Sequence, residues 1–197
     1  MLNKIVLCFF SIAVVTAVFL TVKKWVRTPA EEADISPGIL SQKWIEESVG
    51  EKALEFRTPV VMKNASIQLP KETSKIPMKC ISMEGEGRGI SIFALYLQCD
   101  PSYSPDLGKI NEAEIAGMRH VPGTASISST TREYYLKGNK VLETDATVRR
   151  ENGKPLRFRS VLIRDVNTLW GISLLYKDPQ PIGEEVWNKI KQSINFS

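Results

Sequence analysis

The apolar residues of this chain change their spacing from one end to the other, and each spacing predicts a different kind of element. The first run, Ile5 to Val22, contains no charged residue and is closed by Lys4 on one side and by Lys23, Lys24 and Arg27 on the other. At a rise of about 1.5 Å per residue it would reach roughly 27 Å as a helix, close to the ~30 Å hydrocarbon core of a bilayer. A cleavable signal has a shorter apolar core that ends at small residues. Val15-Thr16-Ala17 would leave Val18, Phe19, Leu20 and Val22 on the mature chain, and Thr28-Pro29-Ala30 lies beyond the basic stretch. Residues 1–27 are therefore expected to form a retained, single-pass N-terminal transmembrane anchor, with a cleaved signal as the alternative. The basic residues after the span favour a cytoplasmic domain. The N-terminal place of the span and the acidic Glu31, Glu32 and Asp34 favour export. The expectation is a domain on the periplasmic or extracellular face.

Polar residues with Pro near both ends, Thr28 to Pro37, read as a linker (28–37), and the remainder, 38–197, as one globular domain. Within it, Ile39, Leu40 and Trp44 fall on one helical face after Ser36-Pro37, which predicts a helix over Gly38 to Val49. "ALEFRTPVVM" alternates and carries Pro59, which suits an edge strand or a strand break. "MKCISME" and "GISIFALYLQC" read as strands around a turn at Gly85 to Gly89. A short helix is expected from Asn111 to Arg119, where Asn111 would cap and Glu114 stands at capping-box spacing.

The second half carries regular turn signals. Gly138-Asn139 and Asn152-Gly153 suit two-residue hairpin loops. The first would set Leu136 opposite Val141, Tyr134 opposite Glu143 and Arg132 opposite Asp145. The second would set Glu151 opposite Lys154 and Arg149 opposite Leu156. "LWGISLLYK" is apolar on both faces, so a layer is needed on each side of the sheet. An amphipathic helix from Gly183 to Asn195, with Val186, Trp187, Ile190 and Ile194 on one side, is one such cover. The fold class expected is α+β: an antiparallel β-sheet of about six strands with helices on both faces, an α/β/α sandwich.

Several of these stretches together resemble a known family. A helix with Trp44, then "FRTP" (Phe56 to Pro59), "IQLP" (Ile67 to Pro70), a short middle helix, an antiparallel meander, "LWGISLLY" (Leu169 to Tyr176) and "IKQSINF" (Ile190 to Phe196) is similar to the PsbP-like fold. Photosystem II extrinsic proteins share that fold with the DcrB-like envelope proteins of bacteria. The resemblance covers most of the chain after the linker and rests on structural motifs. It implies an α/β/α sandwich used mostly for docking to other proteins, and no family catalytic residue can be placed on this sequence.

Composition changes this picture little. About 165 residues after the leader suffice for one domain with a real core. The formal charge of +4 is interleaved and asks for no nucleic acid. The domain's two cysteines, Cys80 and Cys99, would close a loop of about 20 residues as a disulfide, or be two small buried hydrophobes. Neither their spacing nor the single His120 gives a metal or redox motif, so no metal and no cofactor is expected. "GEGRG" leads into a strand and is a turn, not a dinucleotide fingerprint. "DPSYSPD" alternates oxygen ligands, but Pro105 and Asn111 stand where a calcium loop has Gly and Glu.

The hairpin arginines Arg149, Arg150, Arg157 and Arg159 read either as charged strand edges or as a basic contact surface for an acidic partner or anionic headgroups. In the register set by Asn152-Gly153, Arg157 and Arg159 lie on one face and Arg149 on the other, so no single basic face is expected. The function expected is a membrane-tethered, non-catalytic docking or assembly protein of the cell envelope with an envelope protein as partner. The alternative is a ligand-binding or hydrolytic domain whose site is assembled near Asp100, Asp106, Arg119 and His120.

Overall fold

The computed structural model describes residues 34–51, 53–65, 79–102, 104–151 and 153–196. The anchor expected over residues 1–27 and the first part of the linker lie outside these residues. Among the described residues no helix is long and apolar enough to cross a membrane.

Seven antiparallel strands form the main sheet in the order β3-β4-β5-β9-β8-β7-β6. They are β3 (Lys63–Asn64), β4 (Lys79–Gly87), β5 (Ile90–Gln98), β6 (Thr124–Leu136), β7 (Asn139–Arg150), β8 (Leu156–Asp165) and β9 (Thr168–Lys177). A smaller sheet has the order β1-β2-β10, from β1 (Ile45–Val49), β2 (Leu54–Thr58) and β10 (Asn195–Phe196). Two α-helices complete the body, α1 (Leu107–Arg119) and α2 (Pro181–Gln192). β5 and β9 are apolar on both faces because they lie at the middle of the main sheet with a layer on either side.

One face of that sheet packs under α1: Leu107, Ile110, Ile115 and Met118 meet Leu95, Leu142, Phe158, Leu162 and Leu175. The other face is covered by α2 and the small sheet together, through Val186, Trp187, Ile190, Leu54 and Phe56 against Ile92, Tyr96, Val161, Ile172 and Tyr176. The α+β class holds. The expected six strands become seven, and a helix with a small sheet replaces the second all-helical layer.

The helix expected over Gly38 to Val49 is instead a 3-10 turn at Pro37–Ile39 followed by β1. Ile45 and Val49 are β-branched and pair with Thr58 and Leu54 of β2. Trp44 lies before the strand, where its indole N–H donates to the Ile39 carbonyl and Lys189 sits over its ring. β2 stops at Thr58, as Pro59 requires. The middle helix starts earlier than expected, with Asp106 as its N-cap, so Asn111 and Glu114 are not capping residues but buried ones facing the sheet. Asp34 to Pro37 dock on the body, Ile35 donating its N–H to the Gln180 side chain at 2.7 Å.

Both hairpin registers differ from expectation, with different results. The first turn is Lys137-Gly138, both at positive φ, and Leu136 lies opposite Asn139. That is a shift of two residues, so partners change and faces do not. The β7–β8 connection runs over residues 151–155, and Leu156 lies opposite Val148. Pro155 has no N–H to continue the ladder, and the register moves by one, which turns every β8 side chain to the other face relative to β7.

Candidate functional site

The residues proposed for a loop-built ligand or hydrolytic site do not meet. Asp106 caps the start of α1, accepting from the Lys109 N–H at 3.2 Å. Asp100 accepts from the Ser102 hydroxyl and N–H, and these bonds hold its carboxyl below the usual range. Arg119 and His120 are exposed at the opposite end of α1, a helix of 13 residues that spans roughly 20 Å. That alternative site is therefore not assembled.

The arginine pattern is also corrected. Arg149, Thr147 and Asp145 alternate along one face of β7, and Arg157 and Arg159 stand opposite Thr147 and Asp145 on that same face. Three of the four arginines thus share the face covered by α2, and only Arg150 turns to the other, its guanidinium beside Gly123. The one-residue change at Pro155 is the cause.

Arg157 and Arg159 are not a free basic patch. Both donate to Asp145 Oδ2, at 2.6 and 2.7 Å, and Arg159 also pairs with Glu184 of α2 at 2.9 Å. Arg157 donates as well to the Thr147 hydroxyl at 2.9 Å. Glu143 accepts from Lys191 at 2.6 Å and from the Trp187 indole at 3.1 Å. Burial alone would raise the Glu143 carboxyl, but hydrogen bonds from Lys191 and Trp187 and the Arg159 charge hold it below its usual value. Tyr176 donates to Glu184 at 2.5 Å, and burial together with that acceptor pushes its phenol well up. Cations and carboxylates balance in this group, which clasps α2 to the sheet.

Under α1 lies a second polar group that sequence spacing misassigned. Glu114 is 6% exposed and accepts from the Ser160 hydroxyl at 3.2 Å, while the Thr144 hydroxyl donates to Asn111 at 2.6 Å. Burial pushes the Glu114 carboxyl up to about 7. On the same side, Cys80 lies opposite Leu97, and Cys99 follows two residues after Leu97. Both are free thiols, raised by burial to about 11 and about 12.

The largest uncovered feature is β6. It is 13 residues long, pairs only with β7 among the described residues, and is mostly exposed on both faces, Tyr135 to 74%. No apolar spacing marks it in the sequence, because neither face is buried deeply. At one end of β6–β7, Ser128, Thr147, Arg149, Arg150, Gly153, Pro155 and Asp178 line an open pocket of about 460 Å³. A second open pocket, about 580 Å³, lies where Asp34 meets the start of α2. Lys177 and Asp34 pair beside it at 3.0 Å.

No family model matches the chain, and no curated protein matches it in sequence. Solved structures that match in shape include the following two. PA94 from Pseudomonas aeruginosa, a protein of unknown function, has a TM-score of 0.39 at 14% identity over 78% of this chain and 97% of its own. LpqN of Mycobacterium tuberculosis, described as involved in cell envelope biogenesis, has a TM-score of 0.41 at 10% identity over 84% of this chain and 99% of its own. Neither is described as a PsbP or DcrB protein.

Proposed function

We propose that this protein is a non-catalytic docking protein of the cell envelope, held at the membrane by its N-terminal apolar run and receiving a protein partner along the free edge of β6. The observation that carries the reading is the 13-residue edge strand with one neighbour among the described residues. Unpaired strand N–H and C=O groups are a template for another extended chain, and proteins normally shorten, cover or bulge such an edge. Here the register irregularity is confined to Thr124/Ser126, at one end, and the rest of the edge is regular. The apolar stretch Ile5 to Val22 and the basic residues after it support the tether.

The test is site-specific photo-crosslinking in intact membranes. A crosslinker in place of exposed Ser129, on β6, is expected to give one discrete protein adduct, and one in place of exposed Asn188, on α2, none. Equal labelling from both positions, or an adduct from position 129 that persists when Thr131→Pro interrupts the edge, would refute docking at β6. Retention in the membrane fraction after a carbonate wash tests the tether, and release into the soluble fraction would refute it.

A further inference from the structure

The chemistry beside the β6 edge narrows what the partner carries, and this step rests on the docking reading above. Arg149 is exposed, and among the described residues no hydrogen bond or ion pair engages its guanidinium. Its companions Arg157 and Arg159 are neutralised by Asp145, Glu143 and Glu184, so those carboxylates are already committed. Arg149 lies opposite Ser126, and Thr147 opposite Ser128. Only small serines therefore stand between the guanidinium and the free edge on this face.

Thr147 and Ser128 add hydroxyls to the pocket. Thr147 Oγ1 accepts from Arg157 at 2.9 Å, which leaves its own O–H hydrogen to donate elsewhere. Ser128 is exposed on the edge strand itself. Strands are spaced by about 4.8 Å, so a chain added to β6 would lie roughly 10 Å from the β7 backbone, within the combined reach of an Arg and an acidic side chain. Asp178 forms part of the wall. With Arg149 and Arg150 also in the lining, the pocket carries a formal charge of +1, which a single carboxylate neutralises.

We propose that the pocket of Arg149, Thr147 and Ser128 receives the carboxylate of an Asp or Glu on an extended segment that pairs with β6. Backbone pairing supplies the docking, and the guanidinium fork selects the acidic side chain. The combination reads a strand with a negative charge at one place on one face, and it discriminates against the same strand with an amide there.

The test uses the full chain in detergent micelles and short fluorescent peptides of alternating Thr and Val with a central Glu, a central Gln or a central phosphoserine. The Glu peptide is expected to bind about tenfold more tightly than the Gln peptide, with the gap narrowing as salt rises. Arg149→Gln, at an exposed position, is expected to remove the gap. Equal binding of the Glu and Gln peptides, a gap that survives Arg149→Gln, or tighter binding of the phosphoserine peptide each overturns the carboxylate pocket and leaves the β6 reading standing. Absence of binding by every peptide also overturns the pocket. If position 129 then fails to crosslink as well, docking at β6 falls with it.

Discussion

Replacing Glu114 by Gln should make this protein more stable at pH 8 and leave it unchanged near pH 4.5. The carboxyl sits inside α1 at 6% exposure, with the Ser160 hydroxyl as its hydrogen-bond donor, and burial raises it from 4.5 to about 7. Because the folded-state value is raised, the folded chain holds a proton that the unfolded chain has lost between those two values. Stability linked to this group is complete below the unfolded value of 4.5 and declines as pH rises, levelling off above about 7. A difference of about 2.5 units at ~1.4 kcal/mol each amounts to about 3.5 kcal/mol. Gln keeps the size and the bond to Ser160 and has no charge to bury. Urea unfolding followed by tryptophan fluorescence, in steps from pH 4.5 to 8.5, should therefore show the variant gaining on the native chain by up to about 1.4 kcal/mol per unit between 4.5 and about 7, with no further gain above that. The other carboxylates titrate in both proteins and cancel in the difference. Parallel stability curves would show that Glu114 is ionised in the folded state, and the buried position would then need another explanation.

Other expectations concern packing and access. In Gly183→Ala the new Cβ would lie 2.2 Å from the Tyr176 ring, which is fixed by its bond to Glu184, so a loss of about 1–3 kcal/mol and a Tm lower by several degrees are expected; an unchanged melting curve would refute this packing. Arg159→Leu leaves Asp145 and Glu184 with less compensation and should cost about 2–3 kcal/mol in unfolding free energy, while a neutral result would show the clasp to be dispensable. Cys80 and Cys99, with thiols raised to about 11 and about 12, should resist a thiol reagent at pH 8 until denaturant is added; rapid labelling of the folded chain would contradict their burial, and absence of labelling after unfolding without reductant would reveal a disulfide.

Legibility followed burial. β4, β5, β9 and α2 are readable because their apolar spacing reflects a layer on both sides or on one, and Trp187, Val186 and Ile190 are all buried as their spacing implies. The stretch from Gly38 to Val49 is not, since Ile39, Leu40 and Trp44 satisfy a helical spacing while belonging to a turn and the approach to a short strand. Antiparallel pairing with the next strand, β2, is what corrects it. The arginines are visible as residues, but their face depends on the parity of the connection before Leu156, and Pro155 decides that. The clasp escaped because its members come from β7, β8, β9 and α2, with no local spacing to link Asp145, Arg159, Tyr176 and Glu184. Glu114 was misassigned because the capping-box pattern is local, whereas its true neighbour, Ser160, lies on a distant strand.

The central pairing of β5 with β9 bears on how this chain is made. Every other neighbour in the main sheet from β6 to β9 is joined by a hairpin, but Ile90 waits for Tyr176 and Gln98 for Thr168. A ribosome must finish β9 before β5 gains its second neighbour, so the apolar middle strand stays half-covered through most of synthesis. Closing so long a loop is slow, and the intervening species exposes Ile92, Ala94 and Tyr96. Substitutions at the β5–β9 seam should therefore alter yield and folding rate before they alter the finished protein.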